Sequence, residues 1–524
     1  MILKVSMVLA FFGAMIGVGL WCRRSASDVD GFVLGGRSVG PWLTAFAYGT
    51  SYFSAVVFVG YAGQFGWRYG ISATWVGLGN AFLGSLLPWA VLGRRTRIMT
   101  QHLASATMPE FFGKRFDSDA LKIAASAICF VFLVPYTASL YNGLSRLFAM
   151  AFDVDLSVCM ILMAALTGVY VVVGGYMATA INDFIQGIVM IFGIVAVIVA
   201  VLHGQGGLSE ALIAVANVSD PAAATDLARA PGTFASFFGP DPVGLLGVVI
   251  LTSLGTWGLP QMVQKFYAIK DEGAINKGAA ISTLFALVVA GGCYFLGGFG
   301  RLFAARLDPT GTGIPEEGYD AVIPAMLVGL PDALIAVVTI LVLSASMSTL
   351  SSLVMASSST LTLDVLKGHV FRDMDERRQL LVMRVLIAIF IAVSVILALI
   401  QHSSSVTFIA QLMGVSWGAL AGAFLAPFLY GLYWKRTTSA ACWASFSLST
   451  VVMIANILIR PQFPELLRSP INAGAFCMLA GLVVVPVVSL VTPAPPRSLV
   501  DDAFSCYDKT VSVRQSEALG DVQP

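Results

Sequence analysis

Six hydroxyl side chains fall within nine residues, at Ser344, Ser346, Ser348, Thr349, Ser351 and Ser352, in the middle of the apolar run 334–363. Lipid offers a hydroxyl no partner, so such groups at membrane depth must be satisfied inside the protein. At helical spacing Ala345, Ser348, Thr349 and Ser352 share one face, which could present oxygens to a desolvated cation. Two plainer roles stay open: bonding back to the carbonyl one turn earlier, and letting neighbouring helices approach closely. Asp183 is the second candidate, the acidic side chain set well inside an apolar run. A carboxylate there is costly unless it is paired or holds a cation. No Lys or Arg sits at matching depth, so the expected partners are a metal ion or a proton, together with neutral hydroxyls. Alternatively, Asp183 lies close enough to its run's end to reach the interface.

The elements that must position these groups are membrane helices. The chain has 524 residues, is 57% hydrophobic and 11% charged, and its mean hydropathy is +0.85. A spanning helix takes about 20 apolar residues. Thirteen such spans are expected, near 2–22, 40–62, 70–92, 123–149, 156–173, 180–203, 243–262, 278–300, 333–363, 380–401, 404–432, 437–459 and 471–491, which makes an all-α polytopic membrane protein. The run 322–330, closed by Pro331, is too brief to cross and is expected as a small outer helix. The first run ends in Cys22-Arg23-Arg24 without a small-residue cleavage site, so it is expected to stay as a span. A net charge of +1 excludes a nucleic-acid footprint. The seven cysteines are scattered and form neither a disulfide framework nor a paired-cysteine metal site. The four histidines lie near span ends, so no transition-metal centre, and no enzyme, is expected.

Basic residues orient the bundle. With the N-terminus outside, most of the 30 lysines and arginines fall in inner loops, among them Arg94, Arg95, Arg97, Lys265, Lys270, Arg377, Arg378 and Lys435. The positive-inside rule then places the C-terminus in the cytoplasm, in a plasma (inner) membrane. Two spans look internally broken. The second carries Gly49, Thr50, Ser51 and Ser54, and the seventh carries Gly255-Thr256-Trp257-Gly258-Leu259-Pro260. Interrupted spans five places apart point to a transporter made of inverted repeats, because irregular backbone at membrane depth is tolerated only in protein or beside a cavity. The expected division is an extra N-terminal span and loop over 1–39, a first repeat over 40–203, a second over 243–432, two C-terminal spans over 433–491 and a flexible tail over 493–524.

The run Gly174-Gly175-Tyr176-Met177-Ala178-Thr179-Ala180-Ile181-Asn182-Asp183-Phe184-Ile185-Gln186 resembles the signature of the sodium:solute symporter family. Two further stretches agree, Phe32-Val33-Leu34-Gly35-Gly36-Arg37-Ser38-Val39-Gly40-Pro41 and Met347-Ser348-Thr349-Leu350-Ser351-Ser352. Ile181 and Asn182 depart from the usual Trp and Thr, and Met177 stands where a basic residue is common. The resemblance covers about residues 30–490 and implies a five-plus-five inverted-repeat core of the LeuT type.

It further implies two sodium positions. The first takes the carbonyls of Thr50, Phe53 and Ala345 with the hydroxyls of Ser348 and Thr349. The second joins Asp183 to Ser348, Ser351 and Ser352. Ser344 and Ser346 fall off that face and are expected to pack. The resemblance sets Tyr52 where proline carriers have an Asp, and Val57 and Thr74 where sugar carriers have Gln and Glu. These departures argue against proline and hexose. Beside the two broken helices the implied solute-lining residues are Tyr52, Ser54, Thr74, Tyr136, Trp257, Gln261 and Gln411. The resulting expectation is a sodium-coupled symporter that imports a small organic solute, such as a monocarboxylate or amino acid, by alternating access. Its partners are the solute, Na+ and the lipid bilayer, with no organic cofactor, and the chain is expected to be monomeric. Proton coupling through Asp183, or a solute sensor on the same fold, are the alternatives.

Overall fold

In the computed structural model the described residues are 2–23, 27–152, 154–219, 230–371, 374–403 and 409–507. They form helices and connections, and the one extended pairing among them is an isolated bridge between Val39 and Ile269. Among the described residues ten helices are long and apolar enough to cross a membrane, or eleven when the bent pair Pro242–Gly258 and Pro260–Ala268 is taken as one. The expected thirteen are not reached on length and composition. The expected second span is cut after a 12-residue helix, Pro41–Tyr52, and its remainder runs on with the third as a single apolar tract, Val56–His102. The expected fifth and sixth join in Leu156–Gly204, which turns at Gly175. Gly175 has φ +60°, a conformation open to glycine without the Cβ clash other residues meet.

Both interruptions foreseen in the sequence are present. Pro41–Tyr52 ends at Phe53, whose φ −87° and ψ 118° are extended, before the chain coils again from Val56. Pro242–Gly258 ends at Leu259, extended at φ −78° and ψ 123°, and a new helix leaves at 45° from Pro260. Proline suits the first position of a helix, where its missing N–H is not needed. The seventh span was expected to stop near residue 262. Instead its second half continues to Ala268 and carries Lys265 into the protein.

The hydroxyl-bearing helix, Asp332–Thr360, runs through the middle, and every residue from Leu341 to Thr360 is buried. It packs against Leu156–Gly204, Asp119–Phe152, Pro41–Tyr52 and the first helix, Ile2–Trp21. A helix enclosed on all sides has no polar face, which is why this segment reads as evenly apolar between its hydroxyls. Elsewhere helices touch through glycine. A Cβ on Gly66 would lie 2.0 Å from the Gly297 carbonyl carbon.

Ion pairs tie the loops of each end together. Arg94 meets Glu272 at 3.0 Å and Lys435 meets Asp501 at 3.3 Å, whereas Lys4 meets Asp332 at 2.9 Å. The short run after Val322 forms a helix only to Leu327. The tail expected to be flexible from 493 instead forms a helix, Arg497–Ser505. It buries Val500, Ala503 and Phe504, and the Phe504 ring lies 5.0 Å from the Arg115 guanidinium. Residues 404–408, at the start of the expected eleventh span, and 508–524 of the tail lie outside the described residues.

Candidate cation and solute site

At the break in the second span the last carbonyls of Pro41–Tyr52 have no onward helical N–H to accept. The central helix meets them there. Thr349 Oγ1 lies 3.1 Å from the Thr50 carbonyl, 3.2 Å from that of Phe53 and 3.1 Å from that of Ala345. Ser348 Oγ lies 3.1 Å from the carbonyls of Thr50 and Ala345. Each hydroxyl has one proton to donate. Two protons therefore face three carbonyls through five contacts, so not all of these contacts can be hydrogen bonds at once. The donor set is all oxygen, neutral and buried. That chemistry suits a small hard cation, whose charge would settle the converging dipoles. All five groups expected for the first sodium position are thus brought together.

The second expected set is assembled differently. Asp183 and Ser352 come close, but the group between them is a lysine. Lys265 Nζ donates to Ser352 Oγ at 3.1 Å, lies 3.9 Å from Asp183 Oδ2, and sits 5.1 Å over the Tyr176 ring. Both charged side chains are enclosed, at 3% and 1% exposure. The expectation that no basic residue reaches the depth of Asp183 is therefore wrong. Lys265 falls in an expected inner loop because the seventh span is expected to stop near residue 262, whereas the helix that opens at Pro260 runs on to Ala268. The Ser348 hydroxyl points to the first set, and Ser351 Oγ donates to its own helix, to Ser348 O at 2.9 Å. Ser51, which the sequence did not single out for this cluster, joins it through its hydroxyl, 2.9 Å from Ser352 Oγ. Ser344 and Ser346 are buried, and their hydroxyls make no hydrogen bond to either set.

The solute-lining candidates divide. Tyr52 and Gln261 are fully buried at the two helix breaks, and neither the Tyr52 hydroxyl nor the Gln261 amide has a hydrogen-bond partner. Thr74 likewise has a buried hydroxyl without a partner. Ser54 Oγ is used to accept from Val56 N at 3.2 Å, capping the resumed helix. Tyr136 meets Trp417 edge-on with ring centres 6.0 Å apart. The Trp257 indole N–H is engaged by the Leu83 carbonyl at 2.8 Å. Gln411 does not join the group, because its Oε1 accepts from Arg460 Nη1 at 3.0 Å, at the start of the helix Ile409–Tyr433.

Residues 32–447 match the sodium:solute symporter family. The chain belongs to the sodium:solute symporter family. Members of the family are transporters rather than enzymes, and sodium is their coupling ion. Among curated relatives of this symporter, the osmoregulated proline transporter OpuE of Bacillus subtilis is 25% identical over 93% of this chain and 94% of its own length. The sodium/proline symporter of Salmonella typhimurium is 27% identical over 86% of each chain. Among solved structures, a Na+-coupled sialic acid symporter superposes with a TM-score of 0.74 at 17% identity, covering 94% of this chain and 98% of that one. Mhp1, a nucleobase-cation symporter, gives 0.52 at 13% identity over 90% and 97%. At such identities these two likenesses carry the fold alone, and the fold they share with this symporter is LeuT-like.

Proposed function

We propose that this symporter imports a small zwitterion or monocarboxylate together with sodium by alternating access. The observation that carries the reading is the five-oxygen cluster of Thr50, Phe53, Ala345, Ser348 and Thr349, which links the break in the second span to the central helix. A cation there draws the two elements together, and its loss frees them, which couples ion occupancy to the position of the solute site. Tyr52 and Gln261, buried and unsatisfied at the two breaks, are the solute contacts this reading favours. Thr74, Ser54, Tyr136 and Trp257 line the surroundings. Proline is the first solute to test, because the curated relatives named above are proline carriers. Against it stands Tyr52, where the resemblance sets an Asp in those carriers.

The reading includes a sidedness, which the loops support. Those expected inside are joined to one another, through Arg94–Glu272 and Lys435–Asp501, and those expected outside through Lys4–Asp332. The excess of basic residues on the first face supports a cytoplasmic C-terminus and an outer N-terminus. Proton coupling through Asp183 is the weaker reading, since Asp183 faces a buried ammonium.

The test is uptake by the purified chain in proteoliposomes, with inward sodium or potassium gradients and a panel of proline, other amino acids, monocarboxylates and sugars. Sodium-driven accumulation of one amino acid or monocarboxylate is expected. Uptake of every accepted solute at equal rate in sodium and potassium would overturn the reading.

A further inference from the structure

The three groups around Lys265 Nζ form what a monovalent cation asks of a protein. There is a carboxylate 3.9 Å away, a hydroxyl oxygen at 3.1 Å and the face of an aromatic ring at 5.1 Å. Ser51 supports the hydroxyl from the opposite side, 2.9 Å from Ser352 Oγ. Asp183 and Ser352 are two of the four residues that the family resemblance assigns to a second sodium. Of the other two, Ser348 is turned to the first site and Ser351 to its own backbone. The residues present therefore do not fit a second free ion. The charge is already balanced by the chain, and a sodium placed beside Asp183 would lie against a like charge in a buried setting.

We propose that the Lys265 ammonium takes the place of the second cation, so that the transporter binds one exchangeable sodium and carries the other positive charge as part of its own seventh span. The position of Lys265 supports this role. It sits on Pro260–Ala268, the inner half of a broken helix, and reaches across to Ser352 on the central helix and Asp183 on the Leu156–Gly204 helix. A mobile ion at that place would bridge the latter two helices. The lysine bridges them and adds the third. Tyr176 is the other titratable side chain in contact with the ammonium. The proposal rests on the sodium-symporter reading above and deepens it by fixing the number of ions.

Equilibrium binding of radioactive sodium to the purified full-length protein, counted per chain with potassium as the competing control, tests the proposal. Wild type is expected to bind one sodium. Lys265→Met, which leaves Asp183 exposed to solution cations, is expected to bind two, and adding Asp183→Asn to it is expected to return the count to one. Should Lys265→Met fail to yield folded protein, Lys265→Gln keeps a neutral side chain of similar reach. A wild-type count of two overturns the proposal and leaves the first site standing. So does a count of one in both folded Lys265 variants, since the pocket would then hold no cation even when emptied. A wild-type count of zero overturns the first site as well.

Discussion

Among the described residues Thr349 is the one side chain whose oxygen reaches all three carbonyls of the first cluster. Thr349→Ala is expected to raise the sodium concentration for half-maximal uptake by about ten- to a hundredfold, about 1.5–3 kcal/mol for a lost contact to a charged group. Thr349→Ser keeps the oxygen and should change it little. Sodium activation curves of uptake decide this, and an unaltered curve for Thr349→Ala would remove the residue from the site. The second cluster makes a different demand. Asp183→Asn leaves the Lys265 ammonium buried without its counter-charge, which is expected to cost about 3–5 kcal/mol of stability. Combining it with Lys265→Met should restore most of that, read as thermal unfolding in detergent. Additive losses in the double variant would mean the two groups do not interact. The hydroxyls were legible in the sequence because polar residues in an apolar run are conspicuous. Lys265 was not, because a basic residue five places after a proline reads as loop. The available signal was the proline itself, followed by Met262, Val263, Phe266 and Tyr267 at helical spacing.

At the scale of elements, the two breaks were legible from glycine, proline and hydroxyl content, since these weaken helices for reasons local to the chain. The join at Gly175 was not. Nothing short of its positive φ distinguishes it from the neighbouring Gly174, and two spans appeared separate where one helix turns. Gly175→Ala is expected to cost about 1–2 kcal/mol, the steric penalty of a left-handed residue with a Cβ. Gly17→Ala in the first helix meets nothing within 4 Å and should be neutral or slightly stabilising. Thermal unfolding of the two side by side checks it, and equal shifts would refute the strain at Gly175. At the Gly66–Gly297 crossing the added methyl has no room, so Gly66→Ala should lower both folded yield and uptake, measured by size-exclusion recovery and initial rate.

For the whole molecule, all seven cysteines are buried. Single cysteines placed at exposed positions outside the apolar spans therefore report sidedness over a quiet background. Thr310→Cys is expected to react with an impermeant maleimide in intact cells, and Lys114→Cys only after permeabilisation. The reverse pattern would invert the orientation. The order of apolar runs and the sign of the loop charges were readable because membranes impose both on any chain. Which helices meet was not, since contacts across the bundle join residues hundreds of positions apart, as Thr50 and Thr349 do.

The Lys265–Asp183 pair also bears on how steep a solute gradient the protein can hold. A dissociable sodium entering the cell releases about 2.3 kcal/mol per 100 mV and about 1.4 kcal/mol per tenfold concentration ratio. The ammonium swings with its helix and returns with it, so over a full cycle it does no net work. With 100 mV and a tenfold sodium ratio, one free ion sustains about 3.7 kcal/mol, or roughly 500-fold accumulation of a zwitterion. A second free ion would square that ceiling. In exchange, the tethered charge is always present, and the cycle depends on catching a single ion from solution.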